Sequence, residues 1–85
     1  MKLDDRLRRL IAVGASVTAN CQPCLRINAE RALDNGADAQ EVAEAVEVGK
    51  LVRQGASSKM DEFASSLNEA AFPTARPWKD GCGCV

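Results

Sequence analysis

Eighty-five residues and 9.1 kDa leave room for one small domain. Lys and Arg total 11 against 12 Asp and Glu, a net charge of -1 with no basic excess to neutralise nucleic-acid phosphates. Four Cys and no His exclude every imidazole base and imidazole metal ligand, leaving thiol chemistry, thiolate metal binding or structural disulfides.

The large apolar side chains are seven Leu, seven Val, two Ile, two Met, two Phe and one Trp, beside fourteen Ala. Ala is the best helix former and Tyr is absent, so the composition favours helix over sheet. A chain this short buries only roughly 60–65% of its unfolded surface. Small cores of that kind are completed by disulfides, metal or self-association, and an oligomer of short Ala-rich helices is expected. The opening Met1-Lys2-Leu3-Asp4-Asp5 is charged at once and lacks the apolar stretch of a signal peptide. No apolar run of about 18 residues is present, so no membrane partner is expected. The expected location is cytoplasmic, where reducing conditions make catalytic or metal-binding cysteines more frequent than structural ones.

In chain order, Leu3, Leu7, Leu10, Ile11, Gly14 and Val17 fall at helical spacing, predicting a first helix over about Leu3 to Ala19. Asn20 precedes Cys21-Gln22-Pro23-Cys24, and Pro is tolerated in a first helical turn. A second helix is predicted from there to about Asn35, with Gly36 in the left-handed conformation that ends helices. Asp38 and Glu41 form a capping-box pattern before a third helix, Ala39 to about Ala70. Its stripe of Val42, Val46, Gly49, Ala56, Met60, Phe63 and Leu67 is heptad-like, with Arg53 the one polar member. Val48, Leu51 and Val52 widen the apolar surface, which suits either a second subunit or burial on two sides of one bundle. Gly49 and Gly55 are expected to mark close packing or a kink. From Phe72 on, two Pro, two Gly and no periodicity predict a flexible tail, dividing the chain into a helical domain over 1–71 and a Cys-containing tail over 72–85. Trp78 is expected to pack on the helical body.

Cys21 and Cys24 at a helix start suit redox chemistry for three reasons. Their spacing places both sulfurs on one face, close enough for a disulfide. Unpaired N–H groups and the helix dipole favour a thiolate there. The neighbouring thiol can then capture a mixed disulfide or a sulfenic acid. Two small residues buried at helical spacing are the plainer alternative. Thioredoxin also encloses a Pro between its cysteines, but that fold needs strands after the motif, and nothing after Leu25 reads as a strand.

The run Ile11-Ala12-Val13-Gly14-Ala15-Ser16-Val17-Thr18-Ala19-Asn20-Cys21-Gln22-Pro23-Cys24 continues into Ala29-Glu30-Arg31-Ala32-Leu33-Asp34-Asn35-Gly36-Ala37 and Gln40-Glu41-Val42-Ala43-Glu44-Ala45. This order of apolar helix, CxxC, helix, Gly-Ala turn and acidic-start helix resembles the carboxymuconolactone decarboxylase superfamily in its AhpD-like alkylhydroperoxidase branch. The resemblance covers about Leu10 to Ala64. It implies a small all-α domain of about three helices, assembly into homo-oligomers (trimers or hexamers), and thiol-dependent reduction of peroxides or disulfides with a redox partner protein or small dithiol. It also implies Cys24 as the activated thiol and Cys21 as its resolving partner. Two departures bear on the chemistry. The family's His one turn after the second Cys is here Asn28, which could hydrogen-bond the sulfur but accepts no proton at neutral pH. The family's upstream Glu, about three turns before the first Cys, has no acidic counterpart among Arg8, Arg9 and Leu10. The expected activity is therefore a thiol–disulfide oxidoreductase or redox carrier with weak or absent peroxidase activity, no cofactor, and Asn28 in support. Decarboxylation is not expected, because it is associated with members lacking this Cys pair.

Cys82 and Cys84 form a second pair on the tail. They can act as an internal dithiol shuttle supporting Cys21 and Cys24. Alternatively, Cys21, Cys24, Cys82 and Cys84 together form a soft site for zinc, copper(I) or trivalent arsenic, or the tail thiols have no specific role. Prenylation at Cys82 is disfavoured because the next two residues are Gly and Cys, not aliphatic.

Overall fold

A computed structural model describes residues 1–70, which form three helices. The expected tail over 72–85, with Trp78, Cys82 and Cys84, lies outside the described residues. Helix α1 spans Asp5–Thr18, α2 spans Gln22–Asp34 and α3 spans Ala39–Ala70. The described residues contain no strand, in keeping with the rejection of a thioredoxin fold.

Each helix end has a local cause. The α1 helix starts two residues later than the apolar spacing suggests, because Asp4 is its cap: the Leu7 N–H donates to the Asp4 carboxylate at 2.8 Å. Asp5 then stands at the positive end of the helix dipole. Asn20 adopts φ 57, turning the chain between α1 and α2; Asn is among the few side chains that tolerate this region. At the end of α2, Gly36 takes φ 99 as expected, and the Ala37 N–H donates back to the Ala32 carbonyl at 3.0 Å. The capping box of α3 is reciprocal: the Glu41 N–H donates to the Asp38 carboxylate at 2.8 Å, and the Asp38 N–H to the Glu41 carboxylate at 3.2 Å.

The α1 helix lies between the other two, which touch each other little. Val13 on α1, Ala32 on α2 and Ala37 form the buried core, ringed by Leu10, Leu25, Ala29, Val42, Ala45 and Val46. The α1–α3 crossing is a glycine contact. A Cβ on Gly49 would collide with the Gly14 carbonyl and the Val17 side chain, and one on Gly14 would meet the Ala45 carbonyl at 3.1 Å. Beside it, the Thr18 hydroxyl lies 3.1 Å from the carbonyl oxygens of both Gly14 and Gly49, and its proton can serve either. The ion pair of Arg6 with Glu41, 2.5 Å apart, joins the same two helices near their other ends. Of the two glycines inside α3, Gly49 marks close packing, whereas nothing lies within 4 Å of a Cβ placed on Gly55. Past Gly49, residues 50–67 of α3 are exposed. No described helix is long and apolar enough to cross a membrane.

Candidate functional site

The α1–α2 turn positions the cysteine pair. Cys21 is the N-cap of α2, with extended backbone, and its side chain makes no capping hydrogen bond. Its backbone is held at both ends: the Cys21 N–H donates to the Ser16 carbonyl, and the Leu25 N–H donates to the Cys21 carbonyl, each at 3.0 Å. Pro23 in the first turn costs no hydrogen bond, because that N–H would have no helical acceptor. Cys24 thus lies one turn into the helix, and its sulfur is bonded to that of Cys21 across a Cα–Cα distance of 5.3 Å. The two residues differ in exposure. Cys21 is half-buried, whereas Cys24 is exposed.

Asn28 does not hydrogen-bond a sulfur. Its amide N–H donates to the backbone carbonyl of Cys24 at 2.9 Å, and its amide oxygen accepts from the Arg9 guanidinium at 3.0 Å. Both ends of the side chain are therefore committed to geometry: a helical residue four positions on finds the i-4 carbonyl more readily than a sulfur already bonded to Cys21. The contact also singles out Arg9 among Arg8, Arg9 and Leu10 as the residue facing the turn after the cysteines. Where the resemblance implies an acid and an imidazole, the chain has a permanent cation and an amide, linked to one another.

A second guanidinium braces the turn that leads into Cys21. Arg53 on α3 donates to the Asn20 side-chain oxygen at 3.0 Å and, at 3.4 Å, to the Val17 carbonyl. Asn20 is the residue immediately before Cys21. Neither Asn20 nor the two arginines was picked out for the site from sequence alone. The available signals were the helix-breaking Asn before the motif and the single polar residue, Arg53, in the heptad stripe. Among the described residues, no three Cys, Asp or Glu side chains gather to hold a metal ion. The four-thiol set would need Cys82 and Cys84, which lie outside the described residues.

Comparison with family models matches residues 1–59 to the Carboxymuconolactone decarboxylase family. The matched stretch takes in α1, the cysteine turn, α2 and the packed half of α3. The chain belongs to the carboxymuconolactone decarboxylase family. Searches of curated proteins and of solved structures found no match. As a carboxymuconolactone decarboxylase family member it has the fold the resemblance implied, three helices around an Ala-rich core.

Proposed function

We propose that this carboxymuconolactone decarboxylase family member is an AhpD-like thiol–disulfide oxidoreductase or redox carrier that works through Cys21 and Cys24. The observation that carries the reading is a disulfide at the N-terminus of α2 that joins an exposed Cys24 to a half-buried Cys21. In the reduced protein, the exposed Cys24 is the thiol that meets a substrate disulfide, helped toward its thiolate by the helix N-terminus. Cys21, one turn away, resolves the mixed disulfide and restores the bond seen here. Arg9 and Asn28 offer no proton acceptor, so peroxide reduction, which gains roughly a hundredfold or more from a positioned base, is weak or absent. Self-association belongs to the same reading, because α3 carries exposed Leu51, Val52, Met60 and Phe63.

Redox titration against dithiothreitol, read by thiol alkylation and mass, tests this. A reversible two-electron transition assigned to Cys21 and Cys24, with a reduced thiol that iodoacetamide labels rapidly near pH 6, is the expected result. Two thiols of ordinary reactivity, or a disulfide that does not re-form, would overturn it.

A further inference from the structure

The turn that carries Cys21 also forms one wall of a cleft of about 580 Å³, lined by Asn20, Lys50, Arg53, Gln54, Ser57 and Ser58. Two of these side chains are cations, two are amides, two are hydroxyls, and none is an acid. This is a local departure from the chain's composition, in which acids outnumber bases 12 to 11. The Arg53 guanidinium is held at one nitrogen, Nη1, by Asn20 and Val17. Arg carries five N–H donors in a planar fork, so its orientation is fixed while Nη2 and Nε keep donors to offer. Lys50 is 3.6 Å from Glu47, an exposed pairing one helical turn long that a ligand can displace at little cost. Arg9, held by Asn28, is a second cation tied to α2 one turn after Cys24.

We propose that this cleft binds the carboxylate of a small acidic thiol that exchanges with the Cys21–Cys24 disulfide, a proposal that rests on the redox reading above. The size suits a small molecule more than a folded partner. Asn20 is common to the cleft and to the chain leading into Cys21, so a ligand anchored on Arg53 and Lys50 has its thiol near the exposed disulfide. The exchange balances as follows. The substrate thiolate attacks the Cys24 sulfur, the S–S bond breaks, and Cys21 leaves as a thiolate. A second substrate thiolate attacks the substrate sulfur of the mixed disulfide, Cys24 leaves, and the substrate disulfide departs. Two substrate thiols are oxidised and the two protons they release are taken up by Cys21 and Cys24.

The test compares mercaptoacetate, 2-mercaptoethanol and cysteamine as reductants of the oxidised full chain. Rates are expressed per thiolate and divided by the rate of the same thiol on neutral hydroxyethyl disulfide. Mercaptoacetate is expected to gain about fivefold over 2-mercaptoethanol at low ionic strength and cysteamine to lose, with the differences collapsing near 0.5 M salt. Lys50→Gln and Arg53→Gln should each remove about half or more of the mercaptoacetate gain. Because Arg53 also braces Asn20, circular dichroism of its variant is read alongside, and the exposed Lys50 variant keeps the test valid if Arg53→Gln unfolds. Equal normalised rates for the three thiols, or a gain indifferent to Lys50→Gln, would overturn the anion site while leaving the redox reading intact. A disulfide that none of the thiols reduces would overturn both.

Discussion

Asn28 uses its amide to join two elements, and this has a consequence for any attempt to restore peroxidase chemistry. Its N–H holds the Cys24 carbonyl and its oxygen holds Arg9. An imidazole introduced alone by Asn28→His would face a guanidinium, which disfavours its protonated form and supplies no acceptor to orient the ring. Arg9→Glu alone would offer a carboxylate with no base to orient. The two changes are therefore expected to be strongly non-additive: peroxide turnover should rise about tenfold or more in Asn28→His with Arg9→Glu, and far less in either single variant. Steady-state peroxide reduction with a dithiol donor checks this, and additive single effects would contradict it. The substitution at Asn28 was visible in the sequence because it falls at a fixed step from Cys24. Its partner was not, because Arg9 lies 19 residues earlier and only the α1–α2 packing brings the two together. The same holds for Arg53 and Asn20, 33 residues apart.

At the scale of the helix, the two interior glycines of α3 look alike in sequence and differ in space. Gly49 lies at the crossing with α1, where a methyl group would meet the Gly14 carbonyl and the Val17 side chain. Neither can move without shifting α1, so Gly49→Ala is expected to cost roughly 1–3 kcal/mol or more through overpacking. Gly55 has open space around it. There Ala should stabilise the helix by about 0.5–1 kcal/mol, by removing backbone freedom from the unfolded chain. Urea denaturation of the two variants should give midpoints displaced in opposite directions from the parent; shifts of the same sign would mean that the α1–α3 crossing is not as described. Helix limits were legible to within two residues because Asp4, Gly36 and the Asp38–Glu41 pair act locally, over three or four positions. The depth of a given α3 residue was not legible, because the heptad stripe continues past the point where α1 ends.

That continuing stripe is the main feature of the whole molecule. At about 1.5 Å per residue, the 32 residues of α3 extend about 48 Å, against about 21 Å for the 14 of α1. Val42, Val46 and Gly49 on the stripe are covered or partly covered, whereas Ala56, Met60, Phe63 and Leu67 of the same stripe are exposed. Phe63 shows 59% of its surface and Leu51, beside the stripe, 68%. An apolar seam repeating every seven residues is the pattern by which one helix packs along another, and its outer half has no cover among the described residues. A second copy of this chain offers the same seam, so a symmetric contact satisfies both at once. The expected mass in sedimentation equilibrium is therefore a multiple of the 9.1 kDa chain. Met60→Asp with Phe63→Asp should convert it to a monomer, because two carboxylates cannot be buried unpaired in such a contact. The Arg6–Glu41 pair and the Val13 core lie away from these positions and should keep the monomer helical, though with a lower melting temperature once linkage to assembly is lost. A parent chain that sediments at 9.1 kDa across concentration, with a melting temperature indifferent to dilution, would show that the outer half of α3 is stable in water unaccompanied.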